Sequence, residues 1–149
     1  MKVESFLRML ELKNENEQEE FIKARIKNQY VPIAKKKECA ERIVITSFGA
    51  SNKIDSVYKY ILTCMALLDL YTDFDYNNQP RALMGEFDKF NELGLFDMVL
   101  NAIDEKEIKE LNMVIDMCYN DYMYKQESDM EKLTRMFVQK MDELIEKIR

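Results

Sequence analysis

One polar segment of the chain carries the oxygen ligands that a calcium loop uses. Asp73, Asp75 and Asn77 stand at the first, third and fifth positions of such a loop. The sixth position needs glycine and is Asn78, and the twelfth needs a bidentate acid and is Met84. Because the coordination geometry depends on both positions, the sequence argues against a calcium site. We expect neither a bound metal ion nor a cofactor.

The same segment favours contact with another protein, because acidic and aromatic side chains alternate along it. No basic residue lies between Lys59 and Arg81. Ring burial and complementary charge would let such a segment bind a basic protein surface. The candidate partner-binding residues are Asp69, Tyr71, Asp73, Phe74, Asp75 and Tyr76, with Asp121 and Tyr124 in a second acidic aromatic patch. The alternative is a solvated loop whose Tyr71 and Phe74 pack into the core.

Residue types that common catalytic sites need are missing. The chain has no histidine, so it can form no Ser-His or Cys-His pair and no imidazole metal site. Its three glycines are isolated, which excludes a glycine-rich phosphate loop. We expect Cys39, Cys64 and Cys118 to be buried free thiols in a reducing cytoplasm, because an odd number at wide spacing suits neither disulfides nor zinc. The sequence indicates a protein that is not an enzyme.

The charge balance points to a protein partner rather than to nucleic acid. The net charge is −6, with −5 over residues 61–100 and −4 over 101–149. A nucleic-acid-binding protein normally presents a basic face. The only basic run is 35–37, and a solvated helix face is its expected role. No apolar stretch approaches the roughly 20 residues that cross a bilayer, and the N-terminal residues do not form a secretory signal. We therefore expect a cytoplasmic protein without membrane contact.

Scarce turn residues predict an all-α fold. Only three glycines and two prolines occur, too few for the turns of a sheet protein. We predict a single domain over residues 1–149, a bundle of about six or seven helices around the most apolar one, 57–71. The one β-prone run, 42–46, has no second run to pair with and is interpreted as helix.

The C-terminal third is predicted to form two helices. Asp104 and Glu107 have the spacing of a capping box and would open a helix that reaches about Tyr124. Ser128 and Glu131 repeat that spacing and would open the last helix, 129–148. Its apolar residues follow one another in steps of 3, 4, 4, 3 and 4, an amphipathic stripe. Such a helix could pair with a copy of itself or close the bundle.

Three stretches resemble a known group of proteins. They read FLRMLELKNENEQEEFIKARIKNQYVP, YILTCMALLDLYTDF and FNELGLFDMVLNAIDEKEIKELNMVIDM. Together they are similar in general pattern to small acidic helical proteins of tailed phages and prophages of low-GC Gram-positive bacteria. The resemblance implies a phage-encoded accessory or virion-assembly protein, and it carries no catalytic motif.

These observations favour a protein that binds other proteins stoichiometrically during virion assembly, at the head–tail connection or on a tail component. It could also form a homo-oligomer. One alternative is an acidic nucleic-acid mimic that inhibits a host defence nuclease such as a CRISPR effector, because negative charge could occupy a basic groove. A carboxylate-metal enzyme is the remote alternative.

Overall fold

The chain folds into α-helices, as its composition predicts. The structure is a computed structural model that describes residues 1–50 and 53–148. Within these two ranges it has seven helices and no β-strand. The helices are α1 (Val3–Glu11), α2 (Glu15–Lys23), α3 (Ile33–Phe48), α4 (Ser56–Tyr71), α5 (Leu83–Glu92), α6 (Leu95–Ala102) and α7 (Glu105–Ile148). No helix in the described part is both long and apolar enough to span a membrane.

Helix α4 lies at the centre of the bundle, which confirms the prediction for 57–71. The Asp55 side chain accepts a hydrogen bond from the Tyr58 N–H (2.9 Å) and so caps the helix. Seven α4 residues are buried, including the consecutive run 64–68. Burial on all sides follows from contacts with α3, α5 and α6.

Helix α2 begins at a capping box and ends where the chain bonds to α4. Asn14 and Glu17 form the capping box. The helix stops at Lys23, because residues that follow it bond to α4 instead. The backbone N–H groups of Lys27 and Asn28 both point to the Tyr71 carbonyl, at 2.8 and 3.4 Å. This contact ties the chain after α2 to the end of the central helix.

The prediction of a helix over the run 42–46 is confirmed, and a glycine with positive φ follows each of α3 and α5. The β-prone run 42–46 lies within α3, which ends where Gly49 adopts a positive φ of 56°. Gly94 also has a positive φ, 71°, and separates α5 from α6 as a C-terminal glycine should. Both conformations disfavour side chains with a Cβ.

Helix α7 corrects the prediction of two C-terminal helices. It runs without a break for 44 residues, a length of about 66 Å at 1.5 Å per residue. Ser128 caps nothing and lies inside the helix. The four residues 125–128 include neither glycine nor proline, and the apolar spacing passes through them in phase. A capping-box spacing alone therefore does not interrupt a strong helix.

The two halves of α7 differ in their surroundings. Helix α3 lies parallel to the first half, because Lys36 contacts Glu107 and Glu110 while Phe48, twelve residues on, contacts Tyr119 and Tyr122. Helix α3 ends there. From residue 129 to residue 148 every α7 side chain is exposed. The second half does not close the bundle.

Candidate functional site

The aromatic residues of the predicted acidic loop pack into the core. Tyr71 is fully buried at the end of α4, and Phe74 is buried two residues beyond it. The Phe74 ring meets Phe6 edge-on at 4.6 Å, and Phe6 in turn stacks on Phe21 at 4.8 Å. In this conformation neither Tyr71 nor Phe74 can insert into a partner. Their burial favours the alternative, a loop whose two rings pack into the core.

The acidic residues of the loop also bond within the protein. Asp73 pairs with Arg25 at 3.3 Å. The Asp75 carbonyl accepts from the Val3 N–H at 3.2 Å, which links the loop to the start of α1. These bonds hold the loop between two other parts of the chain. That the loop binds a partner stays a prediction, which rests on the exposure of Asp73 and Asp75.

Tyr76 and Asp69 form a further bond across the loop. The Tyr76 hydroxyl donates to Asp69 Oδ1 at 2.9 Å, and the Tyr76 ring lies edge-on to Phe90. Burial raises the pKa of both the Asp69 carboxyl and the Tyr76 hydroxyl. This hydrogen bond joins the loop to α4. Both side chains stay partly accessible to solvent.

A buried charge cluster joins α3, α4 and α7, and sequence reasoning missed it. Lys36 is 0% exposed, and its Nζ lies 2.6 Å from Glu107 Oε1 and 2.8 Å from Glu110 Oε1. Glu107 also accepts from the Tyr71 hydroxyl and the Val31 N–H, both at 2.9 Å. The prediction that the basic run 35–37 lies on a solvated helix face is wrong for Lys36.

The pKa shifts in the cluster show mutual stabilisation of its charges. Burial alone would lower the pKa of Lys36, but hydrogen bonds to Glu107 and Glu110 raise it above its ordinary value. Burial alone would raise the pKa of Glu107, but Lys36, Val31 and Tyr71 hold it below its ordinary value. Burial and the Glu107 carboxylate raise the pKa of Tyr71, so its hydroxyl stays a donor. With every charge paired, the cluster is a structural clamp.

A sequence signal for Lys36 existed. The buried face of α3 is formed by residues at helical spacing from Lys36 onwards, namely Cys39, Ala40, Ile43, Val44 and Ser47. Lys36 is the first residue of that stripe, one turn before Cys39. A lysine in phase with an apolar stripe predicts burial, and burial in turn requires a paired acid.

The second predicted patch lies on α7. Asp121 is exposed and Tyr124 is 76% exposed. Because residues three or four apart share a helix face, both lie in line with the exposed Met113 and Met117. Asp121 and Tyr124 are therefore accessible to a partner, unlike Tyr71 and Phe74.

The largest run of exposed apolar side chains lies on the second half of α7. Six residues with steps of 3, 4, 4, 3 and 4 form what we call the exposed stripe: Met130, Leu133, Phe137, Met141, Leu144 and Ile148. Each is at least 44% exposed, and Phe137 is 67% exposed. Val138 and Ile145 lie at its edge and are exposed as well. Exposed apolar side chains that lie together on one face are typical of a protein-binding site.

Features of a metal or thiol site are absent from the described ranges. No group of three or more Cys, Asp or Glu residues there could hold a metal ion. The three cysteines are free thiols, of which Cys39 and Cys64 are buried as predicted, whereas Cys118 is half-buried. Burial raises the pKa of all three thiols and so lowers their reactivity.

Comparison of the chain with protein-family models, with curated proteins and with solved structures gives no significant match. Function is therefore inferred from the surface of the molecule.

Proposed function

We propose that this protein is a non-catalytic protein-binding protein that acts stoichiometrically, with the second half of α7 as its main binding element. The observation that carries the proposal is the exposed stripe. It lies on a helix segment about 30 Å long, and residues 129–148 of that segment have no buried side chain.

An amphipathic helix of this kind binds by laying its apolar face into a groove or against another helix. The stripe offers anchors at helical spacing, with Phe137 near its middle, and aromatic anchors commonly dominate the binding free energy. The opposite side carries charged residues such as Lys132, Glu143 and Glu146. This division of surfaces keeps the free helix in solution and directs a single face to the partner.

The biological setting we propose is tailed-phage assembly, at the head–tail connection or on a tail component. The resemblance of three long stretches to small acidic phage and prophage proteins supports this setting. The net charge of −6 favours a partner with a basic surface.

The inhibitor alternative receives less support from the placement of the acids. A nucleic-acid mimic needs a row of unpaired acids, but Asp73 pairs with Arg25, and Glu86 lies 3.6 Å from Lys89. Pairing reduces the negative potential that residues 61–100 could present to a basic groove.

The test compares two full-length variants in cells where the phage particles assemble. Phe137→Glu places a charge within the exposed stripe, whereas Gln139→Glu places the same charge on the opposite side of the helix. Affinity-tagged chains are purified, and co-purifying virion proteins are quantified by mass spectrometry. We expect wild type and Gln139→Glu to retain virion proteins in fixed ratio to the chain and Phe137→Glu to lose them. Equal retention by the two variants would contradict the proposal.

A further inference from the structure

We infer that the exposed stripe binds the same stripe of a second copy of this chain, with the two α7 helices side by side and parallel. This inference rests on the proposed function, because it names one partner of the same surface.

The stripe continues an established helix–helix interface. Positions spaced by steps of 3, 4 and 4 run through the whole of α7. There are twelve of them, and all but Gln126 are apolar or aromatic: Ile108, Leu111, Ile115, Tyr119, Tyr122, Gln126, Met130, Leu133, Phe137, Met141, Leu144 and Ile148. The first five are buried or partly buried in the bundle, and Tyr119 and Tyr122 among them contact Phe48 of α3. Apolar residues that repeat every 11 positions allow two helices to pack against each other along their length.

Helix α3 cannot supply the partner for the rest of the repeat. It ends at Phe48, which contacts Tyr119 and Tyr122. The repeat extends 26 residues further, to Ile148. The same spacing therefore needs a second helix that lies outside the described part of this chain.

The apolar area matches what a stable dimer needs. Eight side chains, the six of the exposed stripe with Val138 and Ile145, would each bury about 80 Å². Two copies would then bury about 1,300 Å² in total, within the range of about 1,200–2,000 Å² for specific protein interfaces.

The charges beside the stripe favour a second copy in parallel orientation. At 3.6 residues per turn, Lys140 and Lys147 lie on one edge of the stripe together with Asp129. Glu131 and Asp142 lie on the other side, just outside Val138 and Ile145. In a parallel pair, the basic edge of each helix faces the acidic edge of its partner. In an antiparallel pair, like edges would meet. Flanking charges of this kind set partner choice and orientation in paired helices.

The first test is the mass of the full-length chain in solution. Sedimentation equilibrium over roughly 1–100 µM, the range in which a micromolar Kd is resolved, should give twice the 17.8 kDa chain mass. Phe137→Glu should weaken the dimer by at least about 100-fold, because it buries a charge at the interface, while Gln139→Glu should leave it unchanged. Circular dichroism checks that both variants retain their helices. A wild-type monomer throughout, or equal dimers for both variants, would overturn the inference.

The second test addresses orientation. In a Cys118→Ser background, Leu144→Cys should form an intermolecular disulfide under mild oxidation, because parallel helices bring equivalent stripe positions within disulfide distance. Glu146→Cys, on the far side of the helix, should not. Absence of a Leu144→Cys disulfide above the Glu146→Cys level would overturn the parallel pair.

These tests separate the inference from the proposed function. If the chain is a monomer and Phe137→Glu still abolishes retention of virion proteins, the stripe binds another protein and self-pairing is excluded. If the chain dimerises and neither variant affects retention of virion proteins, self-pairing stands and the assembly role is excluded.

Discussion

Replacing Lys36 with methionine should lower the free energy of unfolding by about 3 kcal/mol. The Lys36 ammonium is fully buried and pairs with Glu107 at 2.6 Å and Glu110 at 2.8 Å. Its removal leaves the buried Glu107 carboxylate without a cation. We expect the lower end of the usual range of about 3–5 kcal/mol, because Glu107 keeps its bonds from Tyr71 and Val31 and Glu110 remains partly exposed.

The assay is urea unfolding followed by far-ultraviolet circular dichroism, with thermal unfolding as a second measure. For a chain of this size, the loss corresponds to a decrease in Tm of about 10 °C. Lys37→Met is the matched control, because Lys37 is exposed and lies 3.8 Å from Glu41 within the same helix. We expect that variant to unfold like wild type. If both variants lost the same stability, the clamp role of Lys36 would be refuted.

Three further predictions follow from the same contacts. The difference in unfolding free energy between wild type and Lys36→Met should hold between the ordinary pKa values of Glu107 (4.5) and Lys36 (10.5). In a pH series of urea titrations, this difference should shrink as the pH falls through the lowered pKa of Glu107 and as it rises through the raised pKa of Lys36. A difference that does not change with pH would contradict the prediction. Phe74→Ala should cost about 3–4 kcal/mol in urea unfolding, because it removes a buried ring, whereas a near-zero cost would indicate that the ring is free to bind a partner. A chain ending at residue 128 should keep the Tm of the full chain when both are measured dilute, because residues 129–148 bury nothing in the bundle; a large decrease in Tm would show that they do.

Local signals predicted much of this fold. The apolar run around Met65 places α4 at the centre, and the Asn14–Glu17 capping box starts α2. The β-prone Ile43 and Val44 lie within a helix because no second strand is available. In each case, local preference and tertiary packing agree, so reasoning from the sequence gives the observed structure.

Other features depend on contacts that local patterns do not reveal. Ser128 and Glu131 have capping-box spacing, but serine and glutamate at that spacing also fit inside a helix when no breaker lies nearby. The alternation of acids and rings from Asp69 to Tyr76 does not say which rings face inward. The Phe74 ring is buried against Phe6, and the buried Tyr71 bonds to Glu107; both partners are distant in sequence. Lys36 is paired across 71 and 74 residues for the same reason.

Site-specific photo-cross-linking, in the cells where the phage particles assemble, tests whether the exposed stripe is a protein-binding surface. A photoreactive phenylalanine analogue is placed at position 137, within the stripe, or at position 139, on the opposite side of α7. We expect a discrete protein adduct at position 137, to a second copy or to a virion protein, and none above background at position 139. No adduct at position 137, or equal adducts at both positions, would contradict it.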